Sequence, residues 1–123
     1  MSSSTKIAMR PVWLRWTVWV LQGGTAIVFL AAGGAKLVNA PAMVDLFEQI
    51  GIGQWFRYLT GLLEITGAVL ILIPRQAFRG ALLLASIMAC AVLAHLFLIG
   101  GSALPALILL AITATVAWLQ RPA

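Results

Sequence analysis

The sequence predicts an all-α integral membrane protein: a bundle of four transmembrane helices, with a short amphipathic outer-face helix between helices 1 and 2. Three observations predict it. Apolar residues make up 63% of the chain and charged residues 9%, against about 45–50% and 25% in soluble domains. The apolar residues fall into four runs, each close to the roughly 20 residues that a helix needs to cross a bilayer. The basic residues are spread between these runs and form no stripe. The net charge of +5 therefore argues for membrane topology and against a nucleic-acid partner. A length of 123 residues suits one domain. The spans place it at residues 13–119, between a cytoplasmic N-terminal tail (1–12) and a cytoplasmic C-terminal tail (120–123).

The first span covers residues 13–35. A signal peptide is the competing reading of this stretch, because positive residues precede an apolar run that ends on small residues, Gly33 and Ala35. The run exceeds the 7–15 apolar residues usual for such a peptide. Next comes "PAMVDLFEQIG". It opens on a proline suited to the first helical position and closes on Gly51, suited to the position after the last. Met43, Leu46, Phe47 and Ile50 repeat at helical spacing, and Asp45, Glu48 and Gln49 take the other face. That pattern predicts a short helix lying on the outer surface, either a connector or a lid. The second span covers 55–73 and stops at Pro74, since a proline lacks the donor that a helix interior needs. The third covers 80–99 and ends on Gly100-Gly101-Ser102, a tight turn. The fourth covers 104–119, with Pro105 at its edge.

Lysine and arginine set the orientation. Lys6, Arg10 and Arg15 precede the first span, Arg75 and Arg79 lie between the second and third, and Arg121 follows the fourth. An even number of spans puts all six on one side. Lys36 and Arg57 lie on the other, balanced by Asp45 and Glu48. Both termini are therefore expected in the cytoplasm. Trp13, Trp16, Trp19 and Trp118 then fall at the inner interface, and Trp55 and Tyr58 at the outer one, where amphipathic rings prefer to sit. Cys90 stands alone, which excludes an intramolecular disulfide. A buried, inert thiol is the simplest expectation for it.

The chemistry lies in the few polar groups within the spans. A central charge costs about 2.5–3.5 kcal/mol on insertion scales, so such residues face protein or water and find partners. Glu64 sits about nine residues inside the second span, roughly 13 Å deep. His95 is about four residues short of the outer end of the third, roughly 6 Å deep. Lys36 ends the first span on the same side. Small residues surround each of them: Thr60, Gly61, Gly67 and Ala68 around Glu64, Ala91 by His95, Ala32 and Gly33 by Lys36. Such faces let helices approach closely. Lys36, Glu64 and His95 are thus expected to form one intramembrane polar site. It serves either a ligand or proton transfer, or else helix packing alone. No spacing suits a metal, and no catalytic set stands out. Gln22 is alone near the inner half of the first span.

"FLAAGGAKLVNAP", then "GLLEITGAVLILIP", then a "GALLL" opening and a histidine late in the third span resemble the DoxX family, and its DoxX-like branch in particular. The likeness covers roughly residues 24–119. It implies a four-helix membrane bundle in a bacterial inner membrane, with the family's polar positions at Lys36, Glu64 and His95. It also implies an association with redox systems, because DoxX-type subunits accompany quinone-linked oxidoreductase complexes. No intrinsic cofactor is expected, since the chain has no haem, flavin or iron–sulfur ligand set. A quinone or lipid ligand is expected instead, because Lys36 and His95 can donate to a quinone carbonyl in an apolar slot. Three functions follow: an accessory or anchoring subunit of a membrane redox assembly, a small transport or proton-relay protein, or a ligand-free assembly subunit. Short loops leave little soluble surface, so the partners expected are membrane lipids and other membrane subunits or a homo-oligomer.

Overall fold

The computed structural model of the protein describes residues 10–122. Among these residues there are five α-helices and no strand. The helices are α1 (Val12–Leu37), α2 (Pro41–Ile50), α3 (Gln54–Ile71), α4 (Ala77–Ala94) and α5 (Leu104–Gln120), and α4 runs on into a π-helical turn at His95–Ile99. α1 and the continuous stretch Ala77–Ile99 are long and apolar enough to cross a membrane, and α5 is apolar but shorter. α3 spends part of its 18 residues on Gln54, Arg57 and Glu64. The tail expected at residues 1–12 lies mostly outside the described residues.

Proline and glycine set the boundaries. Pro41 opens α2 and Gly51, at φ 83°, closes it by donating its N–H to the Phe47 carbonyl. These are the expected residues in the expected places. α1 ends differently. Asn39 takes the left-handed conformation at φ 63°, and the Ala40 N–H reaches back to the Ala35 carbonyl at 3.1 Å, a Schellman closure. Gly100 and Gly101 both sit at φ 70°, a conformation that costs a side-chain-bearing residue energy.

α3 packs between α1 and α4; α5 packs on α4 and also touches α1. Phe29, Ile71, Leu84 and Val116 fill the core, with alanines 26, 68, 81 and 106 between them. Glycines bring backbones together at two points. A Cβ on Gly33 of α1 would lie 2.8 Å from the Gly61 carbonyl oxygen of α3, and one on Gly80 of α4 would lie 2.8 Å from the Gly67 carbonyl oxygen. α2 packs across α3, the π turn and α1. Phe47 is its buried anchor and meets Phe56 edge to face at 5.9 Å.

Three expectations need correction. Arg15 does not precede the first helix, because α1 begins at Val12. Cys90 is not buried but exposed: it lies on the side of α4 opposite the stripe formed by Ala77, Ala81, Leu84 and Met88. The third helix does not run evenly to Ile99. It widens into the π turn at His95, where a pattern of apolar residues carries no signal for the change in hydrogen bonding.

Candidate functional site

The centre of the α1–α3 seam is an ion pair. Lys36 Nζ lies 2.8 Å from Glu64 Oε1, and the Glu64 side chain is 1% exposed. The local sequence explains the meeting. Lys36 is three residues after Gly33, and Glu64 three after Gly61, so each charge shares a helix face with a glycine. The arrangement is reciprocal. A Cβ on Gly61 would sit 3.1 Å from Lys36 Cβ, and one on Gly33 would sit 3.4 Å from Glu64 Cβ. Each charged side chain thus crosses the gap left by the other helix's glycine. The second carboxylate oxygen, Oε2, is buried and has no hydrogen-bond partner.

Arg57 secures the outer end of this seam. It is 3% exposed, and its guanidinium uses all three nitrogens. Nη1 donates to the Lys36 carbonyl, Nη2 to Asn39 Oδ1 at 2.8 Å, and Nε to Gln54 Oε1 at 2.7 Å. The guanidinium also lies over the Tyr58 ring, whose hydroxyl donates to the same Asn39 oxygen at 2.7 Å. A cation at the C-terminal carbonyls of α1 is favoured by the helix dipole. Arg57 therefore positions the last turn of α1, and with it the backbone that carries Lys36. Gln54 Nε2 in turn donates to the Val44 carbonyl of α2 at 3.0 Å.

Sequence reasoning counted Arg57 as a surface charge balanced by Asp45 and Glu48. Those acids are exposed, whereas Arg57 is buried among neutral acceptors. The signal that could have found it is the order Asn39, Gln54, Arg57, Tyr58, a donor-rich side chain flanked by amide acceptors at a helix start. Of the three expected site residues, Lys36 and Glu64 meet directly. His95 lies in the π turn, where Nδ1 pairs with the Gly100 carbonyl at 2.9 Å, and it makes no ion pair with Glu64.

A second polar contact joins the other end. Gln22 Nε2 donates to the Ile71 carbonyl at 2.8 Å, and Gln120 Nε2 donates to Gln22 Oε1 at 2.6 Å. Gln22 is thus not isolated. It caps a carbonyl at the end of α3 and ties the end of α5 to α1.

The model of the DoxX-like family matches residues 20–119. The chain belongs to the DoxX-like family. The match takes in Gln22, Lys36, Arg57, Glu64 and His95 and leaves Arg10 and Arg15 outside it. Comparison of this DoxX-like chain with curated proteins and with solved structures gives no match. What the site can do therefore rests on its own chemistry. The Lys36 ammonium has three donor hydrogens, of which one contact is made to Glu64. The open Oε2 is a buried acceptor. Together they present donors and an acceptor side by side in an apolar surrounding.

Proposed function

We propose that this DoxX-like protein is a four-span bundle of a bacterial inner membrane with both termini cytoplasmic. In this reading it serves as an accessory or anchoring subunit of a quinone-linked redox assembly. The distribution of polarity supports the four spans. Gln22, Lys36, Arg57, Glu64, Thr113 and Gln120 are buried, while Ile27, Leu62, Leu93, Leu96, Phe97 and Ile108 are more than half exposed. Water would disfavour that arrangement, whereas a bilayer favours it. Arg10 and Arg15 at the start of α1, Arg75 and Arg79 between α3 and α4, and Arg121 after α5 support the orientation.

The observation that carries the functional reading is the Lys36–Glu64 pair, closed through Oε1 and open at Oε2. An unpaired buried acceptor costs about 1–3 kcal/mol or more, which a bound donor would recover. A headgroup with a carbonyl and a hydroxyl matches the pair: the carbonyl takes a Lys36 hydrogen, and the hydroxyl donates to Oε2. A quinone offers the carbonyl and its reduced form the hydroxyl, so each redox state finds one of the two partners. The redox association implied by the family supports the same class.

Purification in mild detergent, with mass analysis of what co-elutes, tests this. A co-eluting oxidoreductase and a bound quinone, both lost in Glu64→Gln at unchanged folding, are the expected result. A homogeneous oligomer giving pH-dependent ion flux in liposomes would replace the redox reading with a proton relay. A ligand-free assembly subunit is the second reading, favoured by the 1% exposure of Glu64 behind Gly33. It predicts that Glu64→Gln changes neither partners nor bound lipid.

A further inference from the structure

The buried stripe of α1 runs through Val18, Gln22, Phe29, Gly33 and Lys36. One turn further toward the N-terminus it reaches Arg15. This residue is half-buried, and its Nε is buried with no hydrogen-bond partner. Arg10 is in a similar state. Its Nη2 donates to the Leu119 carbonyl at the end of α5 at 2.6 Å, and its Nη1 is buried without a partner. Arg15, Trp16 and Trp19 line a cavity of about 420 Å³. The chain has three acidic residues in all. Glu64 is held by Lys36, and Asp45 and Glu48 lie on α2, beyond the far end of the 26-residue α1. At about 1.5 Å per residue that is roughly 39 Å away. Among the described residues, no acidic side chain therefore balances Arg10 and Arg15.

We infer that the Arg10–Arg15 end of α1 is a binding site for the phosphodiester of an anionic phospholipid. Buried guanidinium nitrogens without acceptors need an anion, and the planar guanidinium matches phosphate oxygens in pairs. Trp16, 67% exposed, and Trp19, 43% exposed, give the cavity apolar, amphipathic walls at headgroup depth. A lipid uses both features: phosphate on Arg15, glycerol and upper acyl chain on the indoles. A free phosphate uses only the first. Basic recesses on the cytoplasmic side of spanning helices take anionic headgroups in this way. The inference rests on the membrane reading but not on any redox role.

Thermal unfolding of the full-length protein in neutral detergent, titrated with phosphatidylglycerol, phosphatidylcholine or inorganic phosphate, tests it. Phosphatidylglycerol is expected to raise Tm saturably, with little effect of the other two. Arg15→Gln is expected to raise the half-saturating lipid concentration about tenfold, the effect of losing one charge-assisted hydrogen bond. Arg79→Gln removes the same charge from an exposed arginine that donates to Gln76, and should leave the titration unchanged. Should Arg15→Gln unfold, Arg15→Lys and native mass spectrometry of the unaltered protein give the same decision, through weakened binding and through retained phosphatidylglycerol. Equal responses of the Arg15 and Arg79 variants would mean diffuse charge and overturn the site. An equal Tm rise with phosphatidylcholine or with inorganic phosphate would overturn the anionic-lipid assignment. A protein recovered in the soluble fraction without detergent would instead remove the membrane reading itself.

Discussion

Removing Lys36 would leave Glu64 buried with neither oxygen partnered. Breaking a buried pair in this way costs about 3–5 kcal/mol, whereas replacing both members by apolar residues is often neutral or stabilising. Lys36→Leu should therefore lower unfolding stability in detergent by that amount, and Lys36→Leu with Glu64→Leu should recover most of it. If the double variant stays as unstable as the single one, the pair is not the source of the loss. Arg57 gives a second test at this scale. Arg57→Lys keeps the charge but cannot reach the Lys36 carbonyl, Asn39 and Gln54 together. Hydrogen bonds from a charged donor contribute about 1.5–3 kcal/mol each, so a loss of about 2 kcal/mol or more is expected. A neutral result would show that Asn39 and Tyr58 hold the end of α1 without it.

At the scale of helices, two kinds of glycine make opposite predictions. Gly24 lies in α1 with nothing within 4 Å of where a Cβ would be, whereas a Cβ on Gly33 would be 2.8 Å from both the Gly61 oxygen and Ile65. Gly24→Ala should stabilise by up to about 1 kcal/mol through helix propensity alone. Gly33→Ala carries the same propensity gain but must push α1 off α3, and overpacking costs typically about 1–3 kcal/mol. Unfolding midpoints of the two variants should therefore move in opposite directions. The sequence placed Gly33 and Gly61 on contact faces beside the charges, but the open space around Gly24 and the touching backbones were not legible there. Hydropathy tells which side of a helix is buried; it does not tell where two backbones touch. The helix ends were legible, because Pro41 and Gly51 act through their own backbone restrictions. The π turn at His95 was not, because its hydrogen-bond shift has no residue preference as strong as those of proline and glycine. Two of the three expected site residues, Lys36 and Glu64, do meet, as their small-residue faces on the outer half of neighbouring spans suggested. The His95 ring is claimed locally by Gly100.

For the whole molecule, the topology and the exposure of Cys90 can be checked together. Cys90 lies on an α4 surface lined by exposed leucines such as Leu82 and Leu93. In a bilayer that surface faces acyl chains. In intact membranes Cys90 should thus react with a lipid-permeant maleimide and resist a charged one. A cysteine placed at Asp45 or Glu48, both exposed on α2, should react with the charged reagent from the periplasmic side. A fluorescent fusion at Ala123 should light in the cytoplasm. Rapid modification of Cys90 by the charged reagent would mean that α4 meets water.

The reciprocal fit of Lys36 and Glu64 also bears on how the chain is assembled. α3 is not among the helices apolar enough to cross a membrane unaided, and a central carboxylate adds about 2.5–3.5 kcal/mol to its insertion. The group that offsets this penalty is made earlier, at the end of α1. In a four-span bundle the seam favours an order of insertion: α1 in place when α3 emerges, with the short α2 connection keeping it within reach. In such a bundle, a chain lacking Lys36 would insert α3 less efficiently, so its yield in the membrane should fall together with its folded stability.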